Sequence, residues 1–137
     1  MRVLDGDQFL VRVFLGESDQ FHHTPLSRAL LERLRREGFA GATVIHGVAG
    51  FGASSVIHTA SLVELSSDLP VLIEVIDDEA HVERLLPILD EMVTGGALVT
   101  VERVRVVKYA AAHTRRDLHR ARHKTGSRGG PGVTAPQ

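Results

Sequence analysis

The segment GATVIHGVAGFGASSVIHT, residues 41–59, joins a β-branched run to closely spaced glycines and small hydroxyl residues. The run predicts a strand, yet Gly47, Gly50 and Gly52 lose conformational entropy and pack no side chain in a regular strand. Close approach of another backbone or of a small molecule is one reason for such glycines. A bulged strand that runs into a hairpin is the alternative. The segment therefore predicts a strand end that either contacts a ligand or forms a simple turn.

Four segments in and around this stretch have the composition of β-strands. Each has alternating apolar positions or is rich in β-branched residues. The predicted strands are residues 9–15, 42–48, 71–76 and 98–109. With one helix after the first strand and one after the third, the order is βαββαβ. This order predicts a ferredoxin-like α+β fold, an antiparallel sheet with two helices on one face.

The two helices have recognisable starts and stops. Thr24 is the predicted N-cap of the first helix, with a proline at the first helical position, and Gly38 is its predicted stop. The three acidic residues 77–79 favour the start of the second helix through the helix dipole, and Gly95-Gly96 is its predicted end. Pro87 predicts a kink in this helix, because an interior proline removes a hydrogen bond.

Both faces of the predicted sheet carry apolar side chains, although two helices cover only one face. Burial of a leucine or phenylalanine contributes roughly 1.5–3 kcal/mol, so several exposed ones would be costly. Packing of sheet against sheet in an oligomer removes this cost. The charged residues that interrupt the apolar sets are candidates for ion pairs at that interface or for solvated strand ends: Arg12, Glu74, Arg103 and Arg105.

The amino-acid composition limits the classes of protein to which this chain can belong. The chain has 137 residues, of which 43% are hydrophobic and 24% charged, as in one ordinary globular domain. It has no cysteine, which excludes disulfides, thiolate nucleophiles and cysteine zinc sites. No apolar run approaches the roughly 18 residues of a membrane span, and the first residues are not those of a secretory signal. We therefore expect a cytoplasmic protein without membrane insertion.

Charge divides the chain into two parts. Residues 1–107 contain 9 Lys+Arg and 16 Asp+Glu, whereas residues 108–137 contain 7 and 1. We expect a domain over residues 1–109 and an appended basic tail over residues 110–137. The tail is predicted to form at most a short helix over residues 110–123, followed by a disordered end rich in Gly, Pro, Ser and Thr. Docking on the acidic body or on a protein partner is favoured over binding to nucleic acid.

Seven separated motifs resemble one family, the PII-like signalling proteins of the domain of unknown function 190 (DUF190) family. They are GESD (residues 16–19), PL (25–26), GATV (41–44), GFGASS (50–55), IHT (57–59), LSSDLPVLIEVID (65–77) and LVTVERVRVVKY (98–109). The motifs extend over about 100 residues in a consistent order. Such agreement is far more specific than any single glycine motif.

The resemblance implies a ferredoxin-like protomer, a homotrimer with its sheets facing inward, and ligand sites in the clefts between subunits. In PII-like proteins the loop after the second strand, the T-loop, changes conformation when a nucleotide binds near its base, and a protein partner is engaged or released. Here the T-loop corresponds to residues 51–69. The implied function is non-enzymatic regulation, with no resident cofactor.

Departures from the classical PII pattern change the expected ligand. Ala53 and Ser54 stand where arginine and glutamine are usual, and no lysine lies near Gly95-Gly96. Binding of ATP with magnesium and 2-oxoglutarate in the classical manner is therefore not expected. A mononucleotide such as an adenine nucleotide, a cyclic nucleotide or a small anion is the better prediction. The loop also lacks the tyrosine that some PII proteins modify.

The predicted ligand site is the base of the T-loop. Backbone N–H groups over residues 50–55 form a concave anion site in this hypothesis, helped by two serine hydroxyls. The alternative is a glycine-rich hinge whose serines face water. His46 lies in a predicted strand, so we expect it to be a packing residue. His58 lies in the predicted loop and is a candidate contact of a ligand or partner. The predicted ligand-binding residues are Gly50, Phe51, Gly52, Ala53, Ser54, Ser55 and His58, together with Ser18 and Asp19.

The loop after the first strand offers a weaker alternative. Ser18 and Asp19 precede His22 and His23, which suggests a metal site, but adjacent histidines lack the spacing of a zinc helix, and solvated histidines are the favoured interpretation. No metal ligand set and no catalytic arrangement is predicted, because GFGAS is not a nucleophile elbow. Two alternatives stay open: an adaptor that binds protein constitutively without a ligand, and a metal-binding protein or small hydrolase built on these histidines and His58.

Overall fold

The computed structural model of the chain describes residues 2–52, 57–59 and 68–110. Its strands are β1 (Gly6–Gly16), β2 (Gln20–Phe21), β3 (Thr24–Pro25), β4 (Thr43–His46), β5 (Ala49–Gly50), β6 (His58–Thr59), β7 (Pro70–Asp77) and β8 (Leu98–Val106). Its helices are α1 (Leu26–Arg36) and α2 (Glu79–Met92). Within these ranges, no helix is long and apolar enough to cross a membrane.

The four longer strands form one antiparallel sheet in the order β4-β7-β1-β8. Val11, at the centre of β1, lies opposite Val75 on one side and Val101 on the other. Together with α1 and α2 this arrangement is the predicted ferredoxin-like βαββαβ fold. Two short ribbons, β2-β3 and β5-β6, are added to it.

The hydrophobic core lies between the sheet and the two helices. Alternate residues of β1 and β7 point toward the helices, as the period of two requires. One apolar stripe of each helix meets them, in agreement with the leucine spacing of α1. The buried residues at the centre of this layer are Val11, Val13, Ile73, Val75, Leu30, Leu34, Val82 and Leu85.

Helix α1 begins later than predicted. Thr24 is not its N-cap: Thr24 pairs with Phe21 in the β2-β3 ribbon, and Pro25 holds the cap position without a side-chain cap. The N–H of Leu26 instead donates to the backbone oxygen of Asp19 at 2.8 Å, so the preceding turn satisfies the first helical donor.

The predicted stop of α1 at Gly38 is confirmed. Gly38 has φ +79, and its N–H donates to the Arg35 oxygen, while the Phe39 N–H donates to the Leu34 oxygen. These two bonds form a Schellman motif, in which glycine tolerates the left-handed conformation.

Helix α2 begins at the predicted acidic cluster but ends early. The Asp78 side chain accepts a hydrogen bond from the His81 N–H at 2.9 Å and so caps the helix. The helix ends at Met92 rather than at Gly95-Gly96, because Val93 adopts extended backbone. Pro87 lies inside the helix without ending it, and the kink stays a prediction.

The face of the sheet turned away from the helices, which we call the open face, is both apolar and charged. Arg12 contacts Glu74 and Glu102 at its centre, so the ion pairs form within one chain. Arg103 is on the other face, where its guanidinium lies 5.8 Å from the ring centre of Phe9. Exposed apolar side chains on the open face are Phe14, Ile45, Ile76 and Leu98.

Candidate functional site

The base of the predicted T-loop, residues 51–69, is a small β-hairpin. Strand β5 pairs with β6, so that Ala49 lies opposite Thr59 and Gly50 opposite His58. Phe51 and Gly52 continue from β5 and are exposed. The other predicted contacts of the loop, Ala53, Ser54 and Ser55, lie outside the described residues and stay predictions.

Two of the three glycines of this segment are explained by Pro70, the first residue of β7. The Gly47 N–H donates to the Pro70 oxygen at 2.7 Å, and a Cβ on Gly47 would lie 2.6 Å from Pro70 Cγ. A Cβ on Gly50 would lie 3.1 Å from the same atom. Close approach of another part of the chain therefore accounts for Gly47 and Gly50. At the Cβ position of Gly52 no atom of the described residues lies within 4 Å, so packing among them does not account for this glycine.

The turn after β1, residues 16–19, holds the end of the T-loop. The Glu17 N–H donates to the Leu69 oxygen at 2.8 Å, and the Ser18 N–H donates to Asp68 Oδ1 at 2.7 Å. The Gly16 N–H donates to Asp19 Oδ2 at 2.8 Å. Each of these three donors therefore has an acceptor within the chain.

The fold brings the predicted residues Ser18 and Asp19 to the same corner as Gly50. Gly16 lies opposite Pro70 in the β1-β7 register, and Gly50 packs against that proline. The structure uses the Asp19 carboxylate and the Ser18 N–H to hold this corner, and the side chain of Ser18 is exposed. The Asp19 and Asp68 carboxylates make the corner acidic, which disfavours an anion there unless other donors offset the repulsion.

The two histidines after this corner form a tight turn. His22 and His23 connect β2 to β3 with φ values of 48 and 65, the left-handed conformation of a type I′ hairpin. Both are exposed, and neither belongs to a group of side chains spaced to hold a metal within the described ranges. The turn that His22 and His23 form between β2 and β3 explains their position.

One cluster in the described ranges has metal-like spacing: Asp77, Asp78 and His81. A cation already lies there, because Arg2 donates to both carboxylate oxygens of Asp77 at 2.6 and 2.8 Å and to Asp78 at 2.8 Å. The Ala40 N–H donates to Asp77 Oδ2 at 2.8 Å. We name this set the Arg2–Asp77 cluster, and its geometry is that of a structural anchor.

The Asp77 carboxylate is fully buried at 0% exposure. Burial by itself would raise its pKa, but hydrogen bonds from Arg2 and from the N–H groups of Ala40 and Asp78 outweigh burial and hold the pKa below its ordinary value. The pKa of Asp78 is also lowered, chiefly by the His81 N–H. Both carboxylates therefore stay ionised at neutral pH.

A groove of about 370 Å³ lies beside this cluster, at the end of the sheet far from the T-loop. The Tyr109 hydroxyl donates to the Ala40 oxygen at 3.4 Å across one side of it, and Lys108 supplies a cation. A Cβ on Gly41 would meet no atom of the described residues within 4 Å, so among these residues the groove is open there. Its apolar lining includes Leu4, Ala42, Ile76 and Val106.

Reasoning from sequence missed Asp68, Pro70 and the groove as parts of the site. Asp68 and Pro70 lie in the motif LSSDLPVLIEVID, but the motif does not show that they contact Gly16 and Gly47. The groove had no sequence signal, since its lining residues come from four separate segments.

Comparison with known proteins agrees with this architecture. Residues 8–106 match the DUF190 family, described as "Uncharacterized ACR, COG1993". The UPF0166 protein of Aquifex aeolicus (strain VF5) is 38% identical over 98 residues, which cover 72% of this chain and 91% of the relative. The UPF0166 protein MJ1524 of Methanocaldococcus jannaschii is 33% identical over 99 residues, which cover 72% of this chain and 91% of that protein.

Solved structures share the fold at lower sequence identity. CPII from Thiomonas intermedia K12, in a structure described as bound to ADP and bicarbonate, has a TM-score of 0.56 at 18% identity. The match covers 74% of this chain and 90% of CPII. Another structure of CPII describes it as a nitrogen regulatory PII-like protein. The chain therefore has the fold of the PII-like proteins and belongs to the DUF190 family.

Proposed function

We propose that this chain is a PII-like regulatory protein that binds a small ligand, an adenine nucleotide, in clefts between the subunits of a homotrimer. Ligand binding changes the T-loop, residues 51–69, and thereby the contact with a protein partner. The observation that carries the proposal is the hairpin base of the T-loop, packed against Pro70 of β7 in a fold shared with CPII, whose structure is described with ADP and bicarbonate. The role is binding rather than catalysis.

The distance between the two candidate surfaces supports a cleft between subunits. Pro70 lies at the T-loop end of β7 and Ile76 at the groove end, and six residues of strand span roughly 20 Å. A mononucleotide does not reach from one surface to the other within one chain. The groove of one subunit and the loop base of its neighbour together form a site of suitable length.

The groove has the chemistry of a nucleoside site. Its walls are mainly aliphatic and suit the flat faces of a base, while the backbone at Ala40 and Gly41 and the side chain of Lys108 offer polar partners. The loop base, with exposed Gly52, would meet the phosphates. This arrangement does not use the acidic corner at Asp19 and Asp68 for direct phosphate contact.

The second candidate function is a constitutive adaptor. Three large apolar side chains near the T-loop hairpin are strongly exposed: Val48 at 77%, Phe51 at 71% and Ile57 at 64%. Such a surface suits a protein partner whether or not a ligand is bound. If the protein is a constitutive adaptor, calorimetry should detect no heat of binding with any nucleotide.

Isothermal titration calorimetry of the full chain with ADP, AMP, cyclic AMP and bicarbonate tests the proposal. We expect ADP or AMP to bind, and Gly41→Leu to weaken binding about tenfold or more, because the side chain would fill the groove. Glu83→Leu, an exposed change on α2, is the matched control and should bind like the wild type. Absence of binding by all four compounds would reject the proposal and favour the adaptor.

A further inference from the structure

We infer that Asp68 is a positioning residue: its carboxylate latches the end of the T-loop onto the turn at residues 16–19 and so holds the loop base assembled. The consequence for ligand affinity rests on the proposed function. The latch itself is a property of the described contacts and can be tested without any ligand.

The latch consists of two adjacent bonds. Ser18 donates its N–H to Asp68 Oδ1 at 2.7 Å, and Glu17 donates its N–H to the Leu69 oxygen at 2.8 Å. The first bond is charge-assisted and is therefore stronger than a neutral one. Both join residues about fifty positions apart, so they fix where the chain leaves the T-loop and enters β7.

The Asp68 carboxylate packs directly against the backbone of Gly16. A Cβ on Gly16 would lie 2.5 Å from Asp68 Oδ2 and 2.8 Å from its Cγ, so the carboxylate occupies the space of a side chain. Gly16 has no positive φ that would itself require glycine. The close approach of Asp68 is therefore the reason for glycine at this position.

The latch connects the T-loop to helix α1. Asp19, in the same turn, accepts the Gly16 N–H with its carboxylate and the Leu26 N–H with its backbone oxygen. A loop state that removes Asp68 from the turn leaves Ser18 without this acceptor. A ligand that favours the latched loop therefore gains affinity from it, since the loop base is already ordered.

Two independent substitutions open the latch. Asp68→Ala removes the acceptor, whereas Gly16→Ala keeps Asp68 but places a methyl group in its position. Asp68→Asn keeps an acceptor oxygen without the charge and should give an intermediate effect. Gly96→Ala is the matched glycine control, because a Cβ there meets nothing within 4 Å in the part of the chain that the structure describes.

Amide hydrogen exchange by NMR reports the latch directly. We expect the Ser18 and Glu17 amides to exchange at least tenfold faster in Asp68→Ala and Gly16→Ala than in the wild type and in Gly96→Ala. The double variant Asp68→Ala/Gly16→Ala should exchange no faster than the faster single variant, since both changes break one contact. Unchanged Ser18 exchange in both single variants would overturn the inference.

Calorimetry with ADP then measures the functional consequence. We expect both single variants to bind ADP about tenfold more weakly than the wild type. Faster exchange with unchanged ADP affinity would overturn the positioning role. If the wild type binds no nucleotide, the proposed function fails, while the exchange result still decides whether the latch exists.

Discussion

At the scale of single residues, the Arg2–Asp77 cluster shows how a buried charge becomes a structural anchor. Asp77 receives hydrogen bonds from Arg2, Ala40 and the N–H of Asp78, which join the start of the chain, the loop after α1 and the start of α2. Removal of one partner of such a pair leaves the other partner's charge without compensation. Sequence indicated only the contribution of Asp77 to the start of a helix.

The pH dependence of stability should report this cluster. Because the pKa of Asp77 is lower in the folded chain than in the unfolded one, its contribution is present above about pH 4 and is lost as the pH falls through the folded value. Asp77→Asn should lower the free energy of unfolding by about 3 kcal/mol at pH 7. The variant should also lose less stability than the wild type between pH 5 and pH 3.

Urea unfolding at pH 7, 5 and 3, at one fixed protein concentration, measures both effects. Asp90→Asn, which changes an exposed carboxylate on α2, is the control and should stay within about 0.5 kcal/mol of the wild type. Equal acid sensitivity of Asp77→Asn and the wild type would contradict the assignment.

At the scale of elements, backbone conformation decides which residues the turns require. Gly38 ends α1 with positive φ, as its sequence position indicated, whereas close contacts with Asp68 and Pro70 account for Gly16 and Gly47. A glycine needed for positive φ and a glycine needed for a close contact cannot be told apart in the sequence. The β2-β3 ribbon adds a third case, since His22 and His23 adopt positive φ without being glycine.

The ribbon turn should become more stable with the residues that type I′ turns prefer. His22→Asn/His23→Gly should raise the free energy of unfolding by about 1 kcal/mol, because Asn and Gly adopt the left-handed conformation at lower cost. Thermal unfolding of the double variant checks the gain. His46→Asn, in strand β4 without positive φ, is the control and should give none. An unchanged melting temperature of the double variant would refute the strain argument.

At the scale of the whole molecule, the open face is the surface that the protomer offers for association with other copies. Its apolar side chains surround a central ion-pair network of Arg12, Glu74 and Glu102, which satisfies charges that burial would otherwise leave unpaired. This combination suits contact with further copies of the chain, as the proposed trimer requires.

A charge placed on the open face should dissociate the proposed trimer. Ile45→Glu, at a position 43% exposed in the single chain, should weaken association at least 100-fold, because the buried carboxylate would lack a partner. Leu86→Glu on α2, at a position 45% exposed, is the matched control and should leave assembly unchanged. Light scattering coupled to size exclusion measures the mass of each. A trimeric Ile45→Glu variant would argue against assembly through this face.

Local patterns in the sequence determined the order of elements, the alternation of core residues in β1 and β7, and the stop at Gly38, because these depend on periodicity and backbone preference. The same patterns placed the candidate site at the T-loop base, and the family motifs extended over the region that forms the domain.

Only the tertiary structure decided what the glycines contact, why Thr24 does not cap α1, and which groups hold Asp77. The physical reason is that the contacts of the glycines and of Asp77 join residues far apart in sequence, such as Gly16 with Asp68 or Arg2 with Asp77, whereas Thr24 pairs with Phe21 in a local ribbon. The spacing of the distant pairs carries no period, so only the packing of the sheet brings them together.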